Sequence, residues 1–316
     1  MDHSGHGMTM DLPPFTLGRG LQWSADPFFL VACLLGLALY TWGVVRLTRR
    51  GDKWPAGRTG FFFAGVLSIG LMMNTKLNDY GMVMFSVHMV QHMVISMLSP
   101  ILILLGAPIT LALRALPPAA RGSKGPRELL LMLLHSRYMR VVTHPVFTIP
   151  LFIASLYGLY FTPLFDFLME SKPGHIAMMV HFLATGLVFF WPIMGVDPGP
   201  HRPGYLMRML ELFAGMPFHA FFGIALMMAS QPMVKTYTDP PASLGIDALS
   251  DQNAAGGIAW AFSEIPSVLV LIVLLFQWYG SEQRQAKRKD RAADRDGDKE
   301  LEAYNAYLAS LNAQSR

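Results

Sequence analysis

The stretch MVMFSVHMVQHMVISMLSPILIL, residues 82–104, decides the reading of this chain. It carries no Asp, Glu, Lys or Arg and is as long as a bilayer-spanning helix needs to be, about 20 residues. His88 and His92 fall one helical turn apart, so they share one face. Met84 lies one turn before them, and Met89 and Met93 flank them on the next stripe. A polar side chain inside a membrane is costly and faces a partner or a cavity. Imidazole and thioether together form a ligand set that suits copper. Two histidines hydrogen-bonded to neighbouring helices are the alternative reading; the pairing and the surrounding methionines favour ligands over it.

Around that segment the composition is that of a membrane protein: 53% hydrophobic and 15% charged over 316 residues. Apolar segments at roughly 27–46, 59–74, 82–104, 146–165, 175–195, 209–231 and 255–279 predict an all-α, polytopic bundle of seven transmembrane helices. The second is the shortest. Two further apolar stretches, 107–116 and 129–134, are too short to span and are expected at the membrane interface. Basic residues set the orientation. With the N-terminus outside, 21 of the 25 Lys and Arg fall in cytoplasmic loops or the tail; only Arg19, Lys76, Lys172 and Lys235 fall outside. The C-terminus is then cytoplasmic. The pI of 9.2 comes from these loops and does not suggest nucleic-acid binding. Three regions follow: a flexible extracytoplasmic tail over 1–26, a membrane domain over 27–280, and a charged cytoplasmic tail over 281–316.

The first 26 residues lack the basic start and apolar core of a signal peptide. MDHSGHGMTM instead offers His3, His6, Met8 and Met10 beside the amino terminus, either as a copper-capturing tail or as a plain polar one. The one cysteine, Cys33, falls inside the first helix, so any copper site must use His, Met and carboxylate. There is no Gly-rich phosphate loop or nucleophile elbow, and the chain is not read as an enzyme.

Depth follows from position at about 1.5 Å per residue. His88 and His181 each lie some six residues in from the outer ends of their helices, at one level. His175 lies at the outer boundary, with Asp79 in the outer loop before the third helix. His219 is deeper, near the middle of the sixth helix. Methionines crowd toward the outer side, Met178 among them.

Three blocks of sequence resemble one family. HMVQHMVISMLSPILILLGAP (88–108), HFLATGLVFFWPIMGVDPGP (181–200) and PFHAFFGIALM (217–227) are similar to blocks of the CtaG-like cytochrome c oxidase assembly factors. The resemblance covers roughly 25–280. It implies a multi-pass protein of the bacterial plasma membrane that helps mature a haem–copper oxidase by supplying copper, with motif histidines at His88, His92, His181 and His219.

The expectation is therefore a carrier that binds copper, as Cu(I), on the extracytoplasmic side. His88, His92 and His181 are the expected ligands, with His219 deeper. Met84, Met89, Met93 and Met178 are softer transfer ligands. Gln91 supports a ligand through a hydrogen bond. Asp79, His175, His3 and His6 form a capture route. The partners are oxidase subunits, a copper donor outside the membrane, and the lipid bilayer; a homodimer is left open. Two alternatives remain: a haem-binding redox protein with His88 and His181 as axial ligands, and a metal-free scaffold for oxidase subunits.

Overall fold

A computed structural model describes residues 12–120, 122–200, 203–296 and 299–314. His3 and His6 lie outside the described residues. Among those described no strand forms; one isolated bridge joins Trp23 to Thr75. Six helices are long and apolar enough to cross a membrane.

The first is α2, Pro27–Arg49, after the short α1, Leu17–Gly20. Pro27 presets its first turn, and the Asp26 carboxylate accepts from Phe28 N at 2.9 Å and Phe29 N at 3.3 Å. α3 spans Ala56–Met73 and packs along α2, with Tyr40 stacked on Phe62 at 4.0 Å. The buried Tyr40 hydroxyl donates to Gly106 O at 2.8 Å and accepts from Trp54 Nε1 at 3.2 Å. Both polar ends of this aromatic core are thereby satisfied.

After α4, Leu77–Gly81, the histidine-bearing segment is not one uniform helix. It runs as α5, Phe85–Met93, a π-helical turn over Val94–Leu98, α6, Ser99–Leu105, and α7, Pro108–Ala115. Ala107 between the last two sits at φ 51°, in the left-handed region. That break folds α7 back onto α2, where Gly43 leaves room for Leu111. Of the stretch 107–116, Leu111 and Ala115 are buried against the rest of the first unit. Asp197 fixes the turn by accepting from Ile109 N, Thr110 N and the Thr110 hydroxyl. Burial raises its carboxyl above the ordinary value, although these hydrogen bonds oppose the shift.

α8, Pro126–Leu134, and α9, Arg137–Val142, lead into α10, Pro145–Tyr160. α11, Leu164–Met169, precedes α12, Lys172–Met194, and α13, Tyr205–Met228, follows. α14, Ala248–Asp296, and α15, Lys299–Gln314, complete the chain. The residues divide into two compact units, Met1–Val270 and Leu271–Arg316. The second is the charged half of α14 with α15, and most of its residues are exposed.

Within the first unit the connections gather at two ends. At one, Lys172 pairs with Asp26 at 3.2 Å, Ser24 donates to Asp79 at 3.0 Å, and Tyr237 donates to Gly81 O at 2.8 Å. At the other, Arg50 reaches Arg114 O and Asp197 caps α7. α10 runs between the same two ends with 16 residues, about 24 Å at helical rise.

Candidate functional site

At the Asp26 end, four elements converge on His88. Its ring is fully buried, 6.2 Å centroid to centroid from His175 on α12. Tyr160, the last residue of α10, places its hydroxyl 3.1 Å from His88 Nε2. Phe165 from α11 meets the ring edge-on at 5.0 Å, and Tyr237, from the loop before α14, lies at 6.0 Å. One turn deeper, His92 stands edge-on to Phe182 at 4.0 Å and to Tyr160 at 5.6 Å.

What these imidazoles lack is partners. His88 Nδ1, both nitrogens of His92 and His175 Nε2 are buried with no hydrogen bond. Leaving a buried polar atom unpaired costs about 1–3 kcal/mol. Four such atoms within one aromatic cage are therefore a ligand-shaped deficit. Two imidazoles sharing one ion at about 2 Å per nitrogen would have ring centroids roughly 6 Å apart, which is the His88–His175 spacing. Met178 and Met179, one turn beyond His175 on the same face, are buried, as is Met84 one turn before His88. Met89 and Met93 are also buried. Among the described residues no group of three or more His, Cys, Asp or Glu is gathered closely enough to enclose a metal. Two imidazoles at this spacing suit a low-coordinate soft ion.

The site is held from outside its own helix. Asp251, on the first turn of α14, accepts from Phe85 N at 2.5 Å, from Ser86 N and from the Ser86 hydroxyl. This carboxylate caps α5 three residues before His88, where the backbone N–H groups are otherwise orphaned. Thr236 donates twice to Asp166, pinning the segment that carries Tyr237 to α11. Burial holds the Tyr237 hydroxyl well above its ordinary value, so it serves as a fixed donor to Gly81 O.

Several expected residues stand elsewhere. His181 shares neither the level nor the face of His88: it lies six residues, about 9 Å, further along α12 than His175. The buried face of α12 runs through His175, Met178, Met179 and Phe182. His181 is exposed, and its Nε2 lies 2.9 Å from Ser155 Oγ. His175, expected at the boundary, is buried in the place expected of His181. Asp79 is engaged by Ser24, not by an imidazole. Gln91 donates to Met72 O at 3.0 Å and packs against Gly81, away from the histidines. His219 lines a separate cavity further along. Tyr160, Phe165, Tyr237, Asp251 and the Asp26–Lys172 pair were not expected; only Asp26 has a local signature, a carboxylate before Pro27.

The architecture is that of a multi-pass helical membrane protein with buried histidines, His88, His92 and His175, near one end. The chain belongs to the cytochrome c oxidase caa3 assembly factor family, whose pattern matches residues 38–281. It is 43% identical, over 98% of its length, to uncharacterized proteins of Mycobacterium bovis and Mycobacterium tuberculosis, covering 47% of each. A Mycobacterium leprae relative is also 43% identical, with 48% of it covered. The chain thus spans about half the length of the curated relatives it matches. No solved structure matches it.

Proposed function

We propose that this assembly factor holds copper, as Cu(I), at the His88–His175 pair and passes it to subunits of the oxidase. One observation carries the reading: four unpartnered imidazole nitrogens buried together on His88, His92 and His175. A fold that needed these rings only for packing has apolar side chains available at far lower cost. Met84, Met178 and Met179 supply thioethers on the same faces, with Met89 and Met93 on the adjoining stripe. Thioethers hold Cu(I) less firmly than thiolates, which suits a cargo that must leave.

The orientation belongs to the same proposal. All seven apolar helices, the 16-residue α10 included, cross the plasma membrane of a bacterium. The strong bias of basic residues toward the Arg50, Arg114 and Arg208 end makes that end cytoplasmic. The Asp26 end is then extracytoplasmic, where a copper donor reaches it. His175 is the receiving ligand, three residues from Lys172 and within electrostatic range of Asp26.

Copper bound per chain, measured on detergent-purified protein loaded with Cu(I), tests the proposal. Wild type is expected to retain one equivalent, and His88→Ala and His175→Ala to lose it. His181→Ala, which removes an exposed ring bonded to Ser155, is expected to keep it. Full retention by His175→Ala would refute the site.

A further inference from the structure

Beyond His92 the interior does not close into plain apolar packing. α13 turns Arg208, Glu211, Gly215, His219 and Phe222 to the interior, spaced three or four apart, so they form one buried face. His219 lines a cavity of about 10 Å³, room for one water-sized body, together with Met97, Met216, Ser263 and Ser267. Both serine hydroxyls donate to carbonyls of their own helix, Ser263 to Trp260 O at 2.7 Å and Ser267 to Ser263 O at 2.8 Å. What they leave for the cavity is oxygen lone pairs. One imidazole, two thioethers and two hydroxyl oxygens are again a donor set for a soft cation.

The π-helical turn explains how Met97 comes to be there. In that geometry position i+5, not i+4, lies over position i. The turn over Val94–Leu98 therefore carries the face of His88 and His92 onto Met97. His92 itself lies within electrostatic range of His219.

Two turns further along α13, about 12 Å, stands Glu211. It is 2% exposed and neither carboxyl oxygen has a hydrogen-bond partner. Arg208, one turn beyond on the same face, donates to Pro203 O. Between His219 and Glu211 sits Gly215, where the Phe189 ring comes so near that a Cβ would lie 3.1 Å from its edge. Phe189 stacks on Phe152 at 4.2 Å, and both rings line the cavity. A soft station, an aromatic pair and a buried carboxylate within electrostatic range of Arg208 thus follow one another from one end of the first unit toward the other.

We infer that the protein conducts Cu(I) through the membrane. The ion passes from the His88–His175 pair by way of His92 to the His219 cavity, and then past Phe152 and Phe189 to the Glu211 side. The inference rests on the copper reading of the first site. The ion enters and leaves as Cu(I), so no electron donor or acceptor is required. Glu211 supplies the negative charge that makes a cation less costly at low dielectric, and the stacked phenylalanines close the route in this conformation.

Reconstitution of the full chain into phosphatidylethanolamine–phosphatidylglycerol vesicles tests it. A Cu(I)-selective dye is trapped inside, Cu(I) is supplied outside under ascorbate, and binding in detergent is measured in parallel. Wild-type vesicles should fill faster than protein-free ones. His219→Ala and Glu211→Gln should each lower the rate about tenfold, the equivalent of about 1.4 kcal/mol, while keeping the equivalent bound at His88–His175. Glu211→Asp should recover much of the rate, and Phe189→Ala should raise it. Wild-type protein that binds Cu(I) but fills vesicles no faster than lipid alone overturns conduction and leaves the carrier reading standing. Wild-type protein that binds none overturns both. A Glu211→Gln rate equal to wild type, with the protein eluting as a single folded species, overturns the role of the carboxylate and with it the route past Gly215.

Discussion

Replacing Tyr160 with Phe deletes one oxygen and separates two roles of His88. The hydroxyl lies 3.1 Å from His88 Nε2, with Tyr160 3% exposed and His88 fully buried. Its loss removes a hydrogen bond worth about 0.5–1.5 kcal/mol and leaves Nε2 unpaired, so the fold should weaken by about 2 kcal/mol. The effect on copper is separate. When Nε2–H donates to the tyrosine oxygen, Nδ1 keeps the lone pair that a metal needs, and the ring is fixed in direction. Without it the two tautomers compete and the ring turns, which for ligand-orienting partners lowers metal affinity about 10–100-fold. Tyr237→Phe is the matched control. Its hydroxyl donates to Gly81 O, not to an imidazole, so it should cost about 1 kcal/mol of stability and leave copper affinity unchanged. Chemical denaturation in detergent reads the first quantity, and competition with a chromogenic Cu(I) chelator reads the second. If Tyr160→Phe loses stability but binds copper as wild type does, or if both variants weaken copper equally, the orienting role of Tyr160 is refuted.

Three further outcomes follow from the packing. Asp251→Ala uncaps α5 at Phe85 and Ser86 and should destabilise the protein by about 2 kcal/mol in the same denaturation assay, with Asp251→Asn restoring part of it. Gly223→Leu should cost at least about 1–3 kcal/mol: any side chain there runs into Gly256 O at 2.6 Å and the Trp260 backbone, so a tight helix crossing must open, visible as a lowered melting temperature. Lys172→Ala removes an exposed ammonium from its pair and should change stability by less than about 1 kcal/mol. Asp26→Ala also uncaps α2 and should cost about 0.5–2 kcal/mol, so equal effects would show that the ion pair, not the cap, is what matters.

The helices were legible because a bilayer imposes length and apolarity on any segment that crosses it. Even the 16-residue α10 was visible as an apolar run at 146–165. What the apolar run at 107–116 did not show was its direction. That is set by Ala107, whose left-handed backbone turns α7 onto α2. No pattern in the sequence marks an alanine for that conformation, which is one glycine ordinarily supplies.

The histidine on α12 was misread both in level and in direction. Counting residues from a helix end set at His175 made His181 the neighbour of His88, whereas α12 begins at Lys172 and brings His175 there. A helix also rotates its side chains by about 100° per residue. On α12 the Met and Phe residues at 178, 179, 182, 189 and 190 mark a single buried face, which includes 175 and leaves 181 outside it. That signal was present in the sequence and points to His175 without any structure. Tyr160 and Asp251 carry no such signal. They reach α5 from 72 and 165 residues away, through helix packing that no local periodicity encodes. A buried ligand in a helical membrane protein is therefore best located by intersecting two readings, depth from the topology and direction from the bulky face of the same helix. The residues that orient it come from whichever helix ends the fold brings to that level.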